Sequence, residues 1–450
     1  MTDLAVITLA AGKGTRMKSE LPKVLHQVAG KSMAQHIVDT AAGLSPVHNV
    51  VVVGYKADKV ESSITGSNLD FVTQEEQLGT GHAVMQTQEK LADFSGTVLV
   101  LYGDTPLLTE DTLSELVEQH QQEDAAASIL TTKLENPSGY GRIVRDENGS
   151  VKKIVEDKDT TPTQAEIQEI NTGICCFDSQ LLWSAIDDLD TDNAQGEYYL
   201  TDVIGILARA GHFVAGVTAN STRETIGVNT RSHLAEAEKT LRARTCEKHM
   251  ANGVTIIDPD NTYIDSTVQI ARDTIIYPGT FLEGDTKIAS DVVIGPQSRI
   301  IDSTIGEGVE IEHSTIKESE VQSGTVVGPY AYIRPGTTIG KEAKVGDFVE
   351  IKKSTVGDGS KVPHLSYIGD TEIGENTNVG AGTITANYDG ENKHQTKIAD
   401  NCFIGSNSTL IAPLKLAKGS CTGAGAVVTK NVAENEVVIG VPAKARDKDK

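Results

Sequence analysis

In the stretch "VQSGTVVGPYAYIRPGTTIGKEAKVGDFVEI" (residues 321–351) an aliphatic side chain returns at every sixth position, at Val321, Val327, Ile333, Ile339, Val345 and Ile351. A helix would repeat near 3.6 residues and a half-buried strand at two. A period of six with Gly and Thr between the apolar positions is the signature of a hexapeptide parallel β-helix, in which each face of a triangular coil turns one side chain inward. The same spacing runs upstream through Ile264, Ile270, Ile276, Leu282, Ile288, Ile294 and Ile300, reaching this stretch after slips of five. Downstream it returns at Ile398, Ile404, Leu410 and Leu416.

The period makes side chains at equivalent positions neighbours in space. Ile333 and Ile351 are three steps apart, one full coil, so Arg334 and Lys352 are expected about 4.8 Å apart on adjacent coils. Like charges directly opposite destabilise a sheet, and such a pair points to a bound anion. The insertion "TANYDGENKHQTK" (385–397) interrupts the coils, and loops leaving a rigid scaffold often carry function. Within "KVPHLSYIGD" (361–370), Val362 and Ile368 keep the repeat, while His364 and Tyr367 depart from it about one coil from Lys352. An imidazole with a pKa near 6.5 is suited to general-base work at neutral pH. His26, His82, His313 and His394 read as ordinary surface or structural residues.

Before the β-helix, β-branched runs alternate with helical patterns from Leu4 to about Gly227: "LAVITLA", "NVVVVG", "TVLVLYGD", "AASILTTKL", "INTGICCFD" and "FVAGVTA". That alternation predicts an α/β, Rossmann-like domain with a mainly parallel sheet, whose ligands sit beyond the carboxyl ends of the strands. "TRSHLAEAEKTLRARTCEKHM" (230–250), free of Gly and Pro, predicts a connecting helix. The expected organisation is therefore 1–229, a linker helix over 230–250, and the β-helix over 251–450. Lys and Arg number 40 against 63 Asp and Glu, a formal net charge of -23 that argues against a nucleic-acid partner. Five cysteines without CxxC spacing suit a reducing cytoplasm, and no stretch reaches membrane-spanning length.

After the first strand comes "LAAGKGTRM" (9–17), which is neither a Walker A loop nor a dinucleotide fingerprint. Its physics is still that of phosphate binding. Gly12 and Gly14 allow close backbone approach, and Lys13, Arg16, Lys18 and Lys23 are opposed locally by Glu20 alone. Asp104, at the carboxyl end of "TVLVLYGD", is a hard carboxylate able to coordinate Mg²⁺.

"LAAGKGTRM" with "LPKVLH" resembles the signature of sugar-1-phosphate nucleotidyltransferases. Together with "QLGTGHA", "LYGDTPL", "GYGRIV", "EINTG" and "NAQGEYY", the chain is similar over nearly its whole length to the family of bifunctional N-acetylglucosamine-1-phosphate uridyltransferase and glucosamine-1-phosphate N-acetyltransferase. The resemblance implies a nucleotide site for UTP built from Leu9, Ala10, Ala11, Gly12, Lys13, Gly14, Lys23, Gln74, Gly79, Thr80, Tyr102, Gly103 and Asp104. In it Lys13, Arg16 and Lys23 would hold the triphosphate, with Arg16 and Lys23 stabilising charge during reaction. Gln74, Gly79 and Thr80 would face uracil, whose imide edge suits a carboxamide donor and acceptor. Gly141, Glu156, Asn171 and Asn229 would bind the sugar, and Asn229 would join Asp104 on Mg²⁺.

For the β-helix the resemblance implies a left-handed coil, a homotrimer with shared sites, and acetyl transfer with His364 as base. Arg334, Lys352, Tyr367 and Asn378 would bind the sugar phosphate. Asn387 and Tyr388 would contact the amino sugar and acetyl-CoA, and Ala381, Ser406 and Ala424 would line the acetyl-CoA tunnel. "CTGAGAVVTKNV" and "GVPAK" resemble the terminal coils of hexapeptide acyltransferases. Relatives carry an arginine near the position of Gly440 that contacts coenzyme A; here Lys444 or Arg446 is the candidate replacement. A competing reading keeps only a monofunctional sugar-1-phosphate nucleotidyltransferase and makes the β-helix a structural or regulatory module. His364, the Arg334 and Lys352 positions and the 385–397 insertion favour the two-site reading, since a scaffold needs none of them.

Overall fold

The computed structural model describes residues 2–445, which form two compact units that meet in the sequence between Leu241 and Arg242. The first is a sheet of nine strands: β1 (Leu4–Leu9), β2 (His48–Val53), β3 (Leu69–Thr73), β4 (Thr97–Tyr102), β5 (Ala127–Lys133), β6 (Arg142–Arg145), β7 (Val151–Val155), β8 (Glu169–Asp178) and β9 (Val214–Thr218). The main order is β9-β5-β8-β4-β1-β2-β3, with β6 on β8 and β7 on β6.

The β-branched runs become central strands because both of their faces are covered. Side-chain alternation sends Ile7, Val50, Val52, Val98 and Val100 to one core, and Val6, Leu99 and Leu101 to another. Parallel pairing holds for β4-β1-β2-β3 and for β9-β5, but β8 runs antiparallel between β4 and β5. All six apolar runs are strands. β3, β6 and β7 carry no such run, because they are half-buried and mix polar with apolar residues.

Register places the first site. Leu9 and Tyr102 are partners at the ends of β1 and β4, and the Gly103 N–H donates to the Leu9 carbonyl at 2.9 Å. The loops carrying Gly12–Lys23 and Asp104 therefore leave the sheet side by side.

A helix spans Arg231–Ala251. In the second unit, strands of two to four residues stack into three sheets of twelve, ten and nine strands. All pairs are parallel except the last, between Val437–Ile439 and Lys444–Ala445. The sixth-position side chains fill one core, and Ile333 pairs with Ile351 as the period requires. Slips shorten individual coils, so that Arg299 faces Thr315. At Thr385 a polar residue takes the inward position beside Leu410, and its hydroxyl accepts the Gly369 N–H at 2.8 Å. That bond satisfies the buried hydroxyl and explains how the aliphatic run can lapse where the insertion begins.

Candidate active sites

A cavity of about 420 Å³ opens at the carboxyl ends of β1 and β4, lined by Leu9, Ala10, Ala11, Gly12, Lys13, Lys23, Gln74, Gly79, Thr80, Tyr102 and Asp104, and also by Gln77 and Glu197. These two lie within the motifs "QLGTGHA" and "NAQGEYY", although neither residue was itself expected in the site. Gly14, Gly103 and Arg16 stand outside the lining. Gly14 is left-handed, at φ 62°, and a Cβ there would lie 2.4 Å from that of Lys23, so this glycine makes room for the lysine stem. A Cβ at Gly103 would lie 3.2 Å from Val24, so Gly103 is a packing position.

Gln74 is buried, and its Nε2 lies 3.0 Å from both the Gly79 carbonyl and His82 Nδ1. The carboxamide oxygen is thus its remaining hydrogen-bonding atom, rather than a free donor and acceptor pair. His82, read from the sequence as a surface or structural residue, holds this amide and stacks on Tyr198 at 6.3 Å.

The charges converge beside the cavity. The Lys23 ammonium pairs with the Asp104 carboxylate and donates to Asn229 Oδ1 at 3.0 Å, while the Arg16 guanidinium donates to the same oxygen at 2.8 Å. The Val228 N–H donates to the Asp104 carbonyl at 2.8 Å, which fastens the 227–229 segment. A Cβ at Gly227 would stand 3.6 Å from both Asp104 carboxylate oxygens, so glycine keeps that flank open. Asp104 and Asn229 therefore present two oxygens to one cation, here the lysine's own. Two oxygens suit Mg²⁺, which keeps several waters and takes few protein ligands; among the described residues no cluster of three or more ligating side chains exists.

Gly141, Glu156 and Asn171 are mutual neighbours: a Cβ on Gly141 would lie 3.5 Å from Glu156 Oε1 and 3.6 Å from the Asn171 Cβ. Burial pushes the Glu156 carboxyl above its usual range, against the Thr201 hydroxyl that donates to it at 3.1 Å. Burial likewise pushes the Tyr102 phenol up. The Tyr102 ring lies against Gly173, where a Cβ would sit 2.7 Å from it.

On the β-helix, Arg334 and Lys352 do flank the stacked Ile333 and Ile351, but they are not an uncompensated pair. Arg334 donates to Glu350 at 2.6 Å, the residue just before Ile351, and the anion argument from those two cations fails. The crowding lies elsewhere. Lys393, from the insertion, is held below the usual lysine range chiefly by the neighbouring Lys352 ammonium. Tyr367 and Asn387 converge over Gly369, the register partner of Lys352: a Cβ there would meet the Tyr367 hydroxyl at 2.6 Å and Asn387 Nδ2 at 2.8 Å. Asn387 is buried and donates to Asp370 at 2.5 Å, whereas Tyr388 is exposed and donates to Gly390 in its own loop. Asn378 belongs to a different sheet, next to Lys361 and Phe403, and is not brought beside Lys352 and Tyr367.

His364 does not stand one coil from Lys352. Its register partner is Asp347, and its Nδ1 lies 3.3 Å from Asp347 Oδ2. One corner of the coil repeats above it. The Gly382 N–H donates to the His364 carbonyl, Asn407 to Ala381, and Gly425 to Ser406, at 3.3, 2.7 and 2.8 Å. Asp347, His364, Ala381, Ser406 and Ala424 thus form one column, each just before a left-handed corner residue: Phe348, Leu365, Gly382, Asn407 and Gly425. Lys444 is exposed in the final strand, and Arg446 lies outside the described residues.

Residues 5–229 match the nucleotidyl transferase family, and residues 395–430 match the hexapeptide repeat of succinyl-transferase. The second unit is a left-handed parallel β-helix of such repeats. The chain is 51% identical over 439 residues to the bifunctional protein GlmU of Brevibacillus brevis, spanning 98% of this chain and 95% of that protein. The same protein from a Geobacillus species is 52% identical over 444 residues, covering 99% and 96%, and that of Listeria innocua 48% over 450, covering 100% and 98%.

Proposed function

This chain belongs to the family of bifunctional GlmU proteins, and from that membership we infer an enzyme with two activities. The β-helix transfers acetyl from acetyl-CoA to glucosamine 1-phosphate. The amino-terminal unit transfers UMP from UTP to N-acetylglucosamine 1-phosphate, giving UDP-N-acetylglucosamine for cell-wall synthesis and releasing pyrophosphate.

In the uridylyl reaction the sugar phosphate is already an ionised nucleophile, so no general base is required. The chain must offset repulsion between anions and align an in-line attack on the α-phosphorus. Lys13, Arg16 and Lys23 offset the triphosphate charge, the Gln74 oxygen accepts from the uracil imide, and Gly141, Glu156 and Asn171 seat the sugar. Mg²⁺ held by Asp104 and Asn229 supplies further charge neutralisation when bound.

Acetyl transfer requires a free nitrogen lone pair. His364 takes the amine proton as the new C–N bond forms and the thioester C–S bond breaks, and that proton passes on to the departing sulfur to give coenzyme A thiol. Lys352 and Lys393 suit the sugar phosphate, with Tyr367 and Asn387 beside it, and Ala381, Ser406 and Ala424 suit acetyl-CoA. The observation that carries this reading is the corner column, because it aligns the base with the residues assigned to the thioester. Small-molecule substrates and a net charge of -23 leave no role for nucleic acid, and the five free cysteines suit the cytoplasm. No helix among the described residues is long and apolar enough to cross a membrane. A homotrimer is the assembly we propose.

Two assays on the purified protein test this: thiol release from acetyl-CoA that depends on glucosamine 1-phosphate, and pyrophosphate release from UTP that depends on N-acetylglucosamine 1-phosphate. Pyrophosphate release without thiol release would reduce the β-helix to a scaffold.

A further inference from the structure

We propose that Asp347 is a positioning residue for acetyl transfer: its carboxylate accepts the Nδ1–H of His364 and so leaves the Nε2 lone pair as the base. The proposal rests on His364 being the base of that reaction.

The geometry comes from the coil. Asp347 and His364 end successive strands of one sheet, Lys344–Asp347 and Lys361–His364, and are register partners. Each is followed by a bulky left-handed residue, Phe348 at φ 55° and Leu365 at φ 49°. That conformation costs a residue with a Cβ on the order of 1–2 kcal/mol, so its repetition shows a corner held by its surroundings. The Leu365 N–H donates to the Asp347 carbonyl at 2.9 Å, tying the two corners together. Identical corners send both side chains out in the same direction, one coil apart, with Nδ1 and Oδ2 at 3.3 Å.

An imidazole without such a partner distributes its proton over both nitrogens, and the hydrogen bond at one nitrogen decides which tautomer prevails. Ala381 continues the column on the other side of His364 and offers no polar side chain. Asp347 is thus the member of the column able to hold the ring's orientation and to receive Nδ1–H, while Nε2 takes the proton from the amine. When the ring is charged, the same carboxylate balances it.

The test is a mutant cycle on the full-length protein. Asp347→Ala should lower kcat for acetyl transfer on the order of 10- to 100-fold, leaving KM for both substrates and uridylyl transfer unchanged. Asp347→Asn retains an acceptor oxygen and should recover most of the loss, whereas Asp347→Leu should not. In a His364→Ala background, Asp347→Ala should cost nothing further. ¹⁵N NMR of the labelled histidines should show an Nδ1-protonated His364 in the parent and loss of that tautomer in Asp347→Ala. Wild-type kcat in both Asp347→Ala and Asp347→Leu, or a further loss in the His364→Ala background, would overturn the proposal. Full acetyl transfer by His364→Ala alone would instead overturn the assignment of the base.

Discussion

Lys23 and Asp104 sit at the centre of the first site, and their pairing shows how single residues are tuned there. Gly14 makes room for the lysine stem, and Gly227 leaves the carboxylate open. Gly14→Ala should strain the loop and push Lys23 from its place. We expect a rise in KM for UTP and a fall in uridylyl kcat, with thiol release unaffected. Asp104→Ala should abolish uridylyl transfer and spare acetyl transfer. His364→Ala should do the reverse, losing on the order of 10²- to 10⁴-fold in acetyl transfer; parallel pyrophosphate and thiol assays read both. Asp104, Lys13 and Lys23 were legible in sequence because a carboxylate at a strand end and lysines among glycines are conspicuous locally. Lys393 and Asp347 were not, because each acquires its role from a neighbour that chain separation conceals.

At the level of elements, the helix Glu110–Gln122 buries His120 against Ser128 of β5 at 2.9 Å. Burial lowers its pKa to about 4, against the pull of Asp178 and Asp124. The folded value lies below the unfolded one near 6.5, so the neutral ring favours the fold. That stability is fully present above pH 6.5 and is lost as pH falls towards 4, on the order of 3 kcal/mol when complete. The single tryptophan, Trp183, lies in this unit and reports its unfolding. Urea midpoints followed by its fluorescence should fall between pH 6.5 and 4, and His120→Gln should flatten that slope. In the β-helix, Ile351 is wholly buried between Ile333 and Ile368. Ile351→Ala should cost about 2–5 kcal/mol, measured as a lower midpoint of the far-ultraviolet CD transition. The repeat made Ile351 legible as core, since the inward position needs only the local period. The antiparallel course of β8 was not legible, because strand direction depends on where the chain returns to the sheet.

For the whole molecule, two units with separate cores and separate chemistry predict complementation. A mixture of Asp104→Ala and His364→Ala proteins should convert glucosamine 1-phosphate to UDP-N-acetylglucosamine, because the acetylated intermediate diffuses from one protein to the other. Failure of the mixture, with each single activity intact, would show that product must pass within one assembly. Sedimentation equilibrium should give three times the 47.9 kDa chain mass if the homotrimer forms. By itself the sequence determined the fold class of each half, because period and motif are properties of contiguous residues. The tertiary structure alone decided which side chains meet where the coils slip. Ile333 and Ile351 stack at eighteen residues, yet a slip makes Asp347 and His364 partners at seventeen. Such shifts accumulate along the solenoid, so a neighbour in space is set by the summed register and not by any one repeat.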